Sequence, residues 1–160
     1  MLKALSVSGL VVIADQITKN IVKNSMNLGE SFDILGSFLK FTFVENKGLA
    51  FSIKVSNLGF FTFLSLIASL IVLYYLYTYR DEGYQVTFPL AMIFGGAIGN
   101  LIDRVLFSKV VDFINVGIGA YRWPVFNIAD TAVSIGLIFF LWLSWFGMKE
   151  ENIEQEAKDV

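Results

Sequence analysis

Four long apolar runs constrain the fold of this chain more than any other feature of its sequence. A helix rises about 1.5 Å per residue, so about 20 apolar residues are needed to cross roughly 30 Å of hydrocarbon. Runs of that length lie at 2–22, 58–79, 86–106 and 126–148. Hydrophobic residues form 56% of the 160 residues, more than a soluble domain of this size would carry. The sequence therefore predicts a mainly α, polytopic membrane protein with four transmembrane helices.

Residue types that are missing from the sequence narrow its possible chemistry. The chain contains no Cys and no His. This removes disulfides, a thiol nucleophile, an imidazole base and the zinc sites that depend on either side chain. A net charge of -2 without a basic stripe gives no indication of a nucleic-acid partner. Any reaction must therefore use carboxylates, hydroxyls, amines or backbone groups.

Polar residues within the apolar runs gather at one end of the predicted bundle. Consecutive spans alternate in direction, so the exits of the first and third spans and the entry of the fourth lie on the same side. We call this side the polar end, and its residues are Asp15, Lys19, Asn100, Asp103, Arg104, Asn127 and Asp130. The segments 23–57 and 107–125 also lie there, and both termini lie at the opposite end. Ionisable residues at membrane depth are costly, which makes this end the candidate functional site.

The side of the membrane that the polar end faces is a separate question. Eight of the twelve Lys and Arg residues lie at this end. The positive-inside rule would place it in the cytoplasm. Several of these cations lie beside acids in the polar cluster, so the count carries reduced weight and conflicts with the orientation given below.

The segment 23–57 contains a strand signal. Leu39, Phe41 and Phe43 occupy alternate positions, which is typical of a strand with one apolar face. We expect a small β-sheet within about 23–57, lying at the membrane surface, with a turn at 46–48. The second segment, 107–125, is interpreted as a returning loop.

Spacing within the first and third spans predicts two kinds of contact. Asp15 and Lys19 are four residues apart, so they share a helix face and can form an ion pair. Gly95 and Gly99 have the spacing that allows a second helix to approach closely.

Asp112 and Asp130 are the candidate reactive groups. If they meet at the polar end, double ionisation is unfavourable, so the pair shares one proton. That state suits aspartyl proteolysis, in which one carboxylate activates water and the other protonates the substrate carbonyl. Buried acids also form proton relays and ion sites, so a small transporter remains an alternative. A Ser/Lys hydrolase is another, with Lys19 as base and Ser52 or Ser56 as nucleophile.

Five blocks of the sequence carry a family resemblance. They are DQITK at 15–19, NKGLAF at 46–51, GGAIGNLIDR at 95–104, VVDF at 110–113 and WPVFNIAD at 123–130. In these blocks and their order the chain resembles the lipoprotein signal peptidases, the bacterial type II signal peptidases. The resemblance covers nearly the whole chain apart from an acidic tail.

The resemblance implies a membrane aspartyl endopeptidase that removes the signal peptide of prolipoproteins before a diacylglyceryl-modified cysteine. It implies Asp112 and Asp130 as the catalytic pair. The residues that it implies as supporting the site or binding substrate and inhibitor are Asp15, Lys19, Asn46, Gly48, Asn100, Asp103, Arg104 and Asn127.

The resemblance also carries expectations about surroundings and partners. The enzyme would lie in the bacterial cytoplasmic membrane, with its site and β-sheet on the outer side and both termini in the cytoplasm, against the charge count. Residues 1–148 would form the protease domain and 149–160 an acidic cytoplasmic tail. The partners would be lipid-modified prolipoprotein, membrane lipid and the cyclic-peptide inhibitor globomycin. We expect no cofactor, no nucleic-acid partner and a monomer.

Overall fold

The computed structural model describes residues 1–48 and 58–158, without the side chains of residues 58 and 146–158. The elements are α1 (Leu2–Ser25), β1 (Ser31–Leu35), β2 (Leu39–Asn46), α2 (Leu58–Thr78), α3 (Tyr84–Phe107), β3 (Val110–Ile118), β4 (Tyr121–Arg122) and α4 (Ile128–Lys158). In this part of the chain, four helices are long and apolar enough to cross a membrane. The prediction of four spans with a small sheet is confirmed.

Helix α3 is the centre of the bundle and packs against α1, α2 and α4. Near one end of the bundle, Ala4 of α1, Leu76 of α2 and Leu90 of α3 form a buried cluster. Ala4 begins its helix, whereas Leu76 ends its own, so α2 runs antiparallel to α1. The cluster therefore marks the end opposite to the sheet and the polar residues.

Glycines of α3 let the neighbouring helices approach closely. A Cβ on Gly95 would lie 2.8 Å from the Ser8 carbonyl oxygen of α1. A Cβ on Gly96 would collide with the carbonyl oxygen of Ala129 in α4, and one on Gly99 would lie 2.7 Å from an Asp15 carboxylate oxygen. The contacts follow the predicted spacing, and they bring α1 and α4 onto the same stretch of α3.

The Gly96→Ala substitution is expected to destabilise the bundle. Its Cβ would press on backbone of α4, which cannot rotate away, so we expect a cost of about 1–3 kcal/mol from overpacking. Gly9→Ala is the matched control, because a Cβ there has nothing within 4 Å. Thermal unfolding of the purified proteins measures both changes, and equal transition temperatures would contradict the close α3–α4 contact.

The sheet is antiparallel in the order β1-β2-β3-β4. It is built from both segments at the polar end, so the expectation of a sheet within about 23–57 was incomplete and the loop interpretation of 107–125 was wrong. β3 has nine residues, and Val44 and Asn46 of β2 lie opposite Asp112 and Val110. The apolar residues of β3 do not alternate with polar ones along the strand, because one face of β3 packs on the core and the other borders a cavity.

An apolar cluster packs the sheet against the end of α1. It consists of Val22 and the neighbouring Met26 with Phe43 of β2 and Val111 and Phe113 of β3. Beyond β4, the backbone of Phe126 pairs with Ile114 of β3. This pairing holds the entry to α4 beside β3.

Helix α4 continues through residues assigned above to a separate tail. Its backbone is helical to Lys158. The sequence KEENIEQEAK is rich in strong helix formers, so the helix has no local signal to end at 148. The division at 148/149 therefore remains a prediction about the domain and does not mark a break in secondary structure.

Candidate active site

The two candidate acids line the same cavity at the polar end. Asp112 projects from β3, and Asp130 lies in the first turn of α4. The cavity has a volume of about 950 Å³ and is bounded by β2, β3, segment 123–126 and helices α2, α3 and α4. Both acids therefore line one cavity in the described structure.

Amide groups hold all four oxygens of the two carboxylates. For Asp112, Asn127 Nδ2 donates to Oδ1 at 2.7 Å and Asn46 Nδ2 donates to Oδ2 at 3.0 Å. For Asp130, Asn100 Nδ2 donates to Oδ1 at 2.7 Å and the backbone N–H of Asn127 donates to Oδ2 at 3.3 Å. A carboxylate oxygen accepts more than one hydrogen bond, so each acid keeps acceptor capacity for water or substrate.

Asn127 and Asp130 form a reciprocal cap at the start of α4. The Asn127 side chain accepts from the backbone N–H of Asp130 at 2.9 Å, while the Asp130 carboxylate accepts from the backbone N–H of Asn127. Such a capping box satisfies two N–H groups that the helix cannot bond internally. The sequence NIAD therefore both starts the helix and fixes the orientation of Asp130.

A buried ion network lies behind the acids. Lys19 Nζ is 2.7 Å from Asp15 Oδ2 and 3.1 Å from Asp103 Oδ2, which confirms the predicted Asp15–Lys19 pair. Asp15 is 0% exposed and also accepts from the backbone N–H of Ala129 at 3.0 Å. Asp103 accepts from the backbone N–H of Val111 at 3.3 Å. The network therefore joins α1, α3, β3 and α4 beneath the cavity.

The remaining candidates also lie at or beside the cavity. Arg104 lines it and interacts electrostatically with Asp130, Asp112 and Asp103. Gly48 donates its backbone N–H to Asn46 Oδ1 at 3.0 Å, which orients the Asn46 amide toward Asp112. The structure thus brings all ten predicted site residues together. Residues 49–51 of the NKGLAF block lie outside the described part of the chain.

Burial changes the acidity of Asp112. Its side chain lies on β3 and is 2% exposed. Removal from water disfavours the ionised form, and this desolvation is the main reason that the pKa of Asp112 is raised from 3.8 to about 7. The nearby Asp130 charge raises the pKa further, whereas hydrogen bonds from Asn46 and Asn127 oppose the shift. A proton on Asp112 near neutral pH is the state that acid catalysis requires.

Several residues of the site were missed by the sequence analysis. Gln16 Nε2 donates to Asp15 Oδ2, the Gly99 carbonyl and Asp103 Oδ1 at 3.1–3.2 Å. Glu45 lines the cavity and pairs with Lys109 at 2.6 Å. Ser65 and Ala68 of α2 line it too, although no residue of that helix was among the candidates. The position of Gln16, next to Asp15 on a helix that contacts α3, is the one signal that could have indicated its role.

These features define a multi-pass membrane protein with a carboxylate-lined cavity at one end of its helices. Residues 7–146 match the family model for signal peptidase (SPase) II. A lipoprotein signal peptidase of Syntrophus aciditrophicus is 42% identical over 139 residues, 84% of this chain and 86% of that protein. One of Janthinobacterium sp. is 41% identical over 146 residues, 89% of this chain and 87% of that protein. The chain belongs to the signal peptidase II family.

Solved structures agree with this assignment. A bacterial membrane enzyme solved by the in meso method at 2.3 Å resolution superposes with a TM-score of 0.83 and 34% identity, covering 94% of this chain and 92% of that chain. A second, solved at 1.9 Å, gives a TM-score of 0.77 and 36% identity over 88% of this chain and 91% of that chain. The fold of the four helices and sheet is therefore shared with membrane enzymes, which favours a peptidase over the transporter alternative.

Proposed function

We propose that this chain is an integral-membrane aspartyl endopeptidase that removes signal peptides from prolipoproteins before a diacylglyceryl-modified cysteine. Proteins of its family are membrane proteases that process prolipoproteins. The observation that supports the aspartyl mechanism is the placement of Asp112 and Asp130 in one cavity, with every carboxylate oxygen held by an amide donor. Lipid-modified peptide and water are then the only reactants that the mechanism requires.

The proposed reaction begins with one acid ionised and the other protonated. The ionised carboxylate takes a proton from water as the water oxygen attacks the scissile carbonyl carbon, and the protonated acid donates to the carbonyl oxygen. Collapse of the resulting diol breaks the C–N bond, and the amine leaves with the proton taken from water. Arg104, which lines the cavity, supplies positive charge for the peptide carbonyl.

The cavity walls suit a substrate that lies partly in lipid. Small and apolar residues of three helices, Ser65, Ala68, Ala97, Val133 and Ile135, extend the cavity away from the acids. Ligand pockets are commonly apolar with a few convergent polar groups, and this one has that form. An acylated cysteine and the apolar part of a signal peptide match such walls.

The Ser/Lys alternative has less support than the aspartyl pair. The Lys19 ammonium contacts Asp15, Asp103 and the side-chain oxygen of Asn100. Its three N–H donors therefore have acceptors, and none of these three acceptors is a serine hydroxyl. The candidate nucleophiles Ser52 and Ser56 lie outside the described residues.

We also propose where the enzyme lies and how an inhibitor binds it. The enzyme lies in the bacterial cytoplasmic membrane, with the cavity and sheet on the outer side and both termini in the cytoplasm. Residues 1–148 form its protease domain. It acts as a monomer, and globomycin binds in the cavity in place of the substrate.

Cysteine labelling tests the orientation. The chain has no native Cys, so Ala120→Cys, next to β4, and Glu82→Cys, between α2 and α3, each introduce a single thiol. Both positions are exposed. In intact cells without an outer membrane, a membrane-impermeant thiol reagent should label position 120 and not position 82. The reverse pattern would support the positive-inside count instead.

The pH dependence of cleavage tests the role of Asp112. Because its pKa is raised to about 7, kcat/KM for a diacylglyceryl peptide should fall as the pH rises through that value. The folded state also favours the protonated form, so Asp112 contributes stability at low pH that is lost between pH 3.8 and about 7. Cleavage rates measured by mass spectrometry of the products, at pH values below and above about 7, check the expected fall in kcat/KM.

The Asn46→Ala variant provides a sharper form of this test. The hydrogen bond from Asn46 lowers the pKa of Asp112, so its loss should move the alkaline limb of the profile to higher pH. Asn115→Ala is the control, because the Asn115 amide donates to Thr42 and not to Asp112. An unchanged alkaline limb in Asn46→Ala would contradict the assignment of Asp112 as the acid.

A further inference from the structure

The two acids have different local surroundings. Asp130 occupies the first turn of α4, where unpaired backbone N–H groups give the helix end a partial positive charge. One of these N–H groups, from Asn127, bonds its Oδ2. Asp112 lies on a strand, where no such dipole acts, and among the described residues its hydrogen-bond donors are the neutral side-chain amides of Asn46 and Asn127. The helix end therefore places partial positive charge beside Asp130 and not beside Asp112.

A cation is connected to Asp130 through a single amide group. Lys19 Nζ donates to Asn100 Oδ1 at 3.1 Å, and Asn100 Nδ2 donates to Asp130 Oδ1 at 2.7 Å. The oxygen of this amide also accepts from Asn127 Nδ2 at 3.1 Å. Hydrogen bonds in such a chain polarise one another, so an amide whose oxygen binds a cation is a stronger donor.

We infer that Lys19 fixes the position of the shared proton by acting through Asn100 to stabilise Asp130 as the ionised member of the pair, with Asp112 as the acid. Lys19 is thereby a positioning residue as well as a structural one. The inference rests on the proposed aspartyl mechanism and assigns the two acids to its two roles. Asp130 is the base that activates water, and Asp112 protonates the carbonyl.

The other charges around the cavity act on both acids. The Lys19 charge also lowers the pKa of Asp112, but it is the weakest influence on that carboxyl group, and burial outweighs it. Arg104 lines the cavity and interacts electrostatically with Asp130, Asp112 and Asp103. Asp15 and Asp103 form ion pairs with Lys19 and partly offset its field, while its hydrogen bond to Asn100 is kept. Glu45 lines the cavity but is paired with Lys109. The raised pKa of Asp112 is consistent with a resting proton there.

The proton transfers balance with this assignment. The Asp130 carboxylate takes a proton from water as the C–O bond forms, while the Asp112 carboxyl group gives its proton to the carbonyl oxygen. In the second step Asp130 returns its proton to the leaving amine as the C–N bond breaks, and Asp112 recovers one from the diol. Both acids end in their starting states, and the products are a carboxylic acid and an amine.

Infrared spectroscopy tests where the proton resides, independently of cleavage. At about pH 5, above the ordinary Asp pKa and below that of Asp112, the resting enzyme should show the C=O band of a protonated carboxyl group. The band should disappear in Asp112→Asn. It should remain in Asp130→Asn, because burial, the larger cause of the shift at Asp112, is unchanged. A band that is lost in Asp130→Asn and kept in Asp112→Asn would overturn the inference even if both variants are inactive.

The role of Lys19 is tested on a background in which one of its ion pairs is already removed. The acidic limb of kcat/KM is compared between Asp103→Asn and the double variant Lys19→Gln/Asp103→Asn. Loss of the cation should move this limb to higher pH by about one unit, the lower end of the effect of a single charge. A purely structural role would lower the active fraction and leave the limb in place, which would overturn the inference.

Lys19→Arg is the conservative substitution at the same position. It keeps the positive charge, so the acidic limb of its kcat/KM profile should lie at the wild-type pH. A limb displaced by about one unit in this variant would contradict a charge effect. Should the double variant fail to fold, the infrared measurement still decides which acid carries the proton, and the acidic limb of Lys19→Arg still tests the charge effect of Lys19. Cleavage that survives loss of either Asp would instead refute the aspartyl mechanism itself.

Discussion

Replacing either Asp112 or Asp130 by Asn is expected to abolish cleavage of a diacylglyceryl peptide, with a loss of at least about 10³-fold in kcat. Asn has nearly the same size as Asp, but it neither takes up a proton from water nor donates one from a carboxyl group. Its NH₂ group would also face an amide donor, from Asn46 or Asn127 at one position and from Asn100 at the other. Initial rates of the purified variants in micelles measure the effect.

Asp33→Asn is the matched control for this pair of variants. Asp33 lies on the exposed strand β1 and pairs with Lys40 at 2.9 Å, away from the cavity lining. It should cleave at the wild-type rate. Near-normal turnover in a folded Asp112→Asn or Asp130→Asn enzyme would remove the aspartyl pair from the mechanism.

Asp15→Asn is expected to produce the second large effect, on stability. The carboxylate is fully buried, and it bonds the Lys19 ammonium and the first turn of α4 through Ala129. Breaking a buried ion pair by removing one partner leaves an uncompensated charge, at a cost of about 3 kcal/mol or more. The thermal unfolding temperature should therefore fall strongly. Turnover per folded molecule should fall much less than it does in the Asp112→Asn and Asp130→Asn variants.

The same control serves here, because Asp33→Asn removes an ion pair that is half exposed. Its expected cost is within about 1 kcal/mol. Turnover lost from an Asp15→Asn protein of wild-type stability would show instead that Asp15 takes part in the chemistry.

Local sequence patterns predicted the helices and much of the site. The four apolar runs gave the spans to within a few residues, because length and composition alone decide whether a helix can cross a membrane. The i, i+4 spacing of Asp15 and Lys19 predicted their ion pair. Because consecutive spans alternate in direction, Asn100, Arg104 and Asp130 had to lie at the same end of the bundle. This prediction needs no knowledge of how the helices pack. The proposed role of Asp112 stays a prediction, which rests on its expected pairing with Asp130 and on the family resemblance.

The remaining features depend on tertiary contacts that no local pattern records. β3 was interpreted as a loop because its two faces meet different surroundings and its apolar residues do not alternate. The cavity-lining role of Ser65 and Ala68 depends on where α2 packs on α3. Gln16 bridges two helices through three acceptors, an arrangement visible only once α1 and α3 are in contact.

The amide groups that hold the acids come from β2, α3 and the start of α4. Synthesis proceeds from the N-terminus, so α4 is the last of these elements to leave the ribosome. A nascent chain with only three helices inserted possesses Asp112 but lacks both its reactive counterpart and one of its donors, Asn127. Under the proposed aspartyl mechanism such a chain has no competent centre, and hydrolytic activity begins only when the final helix docks.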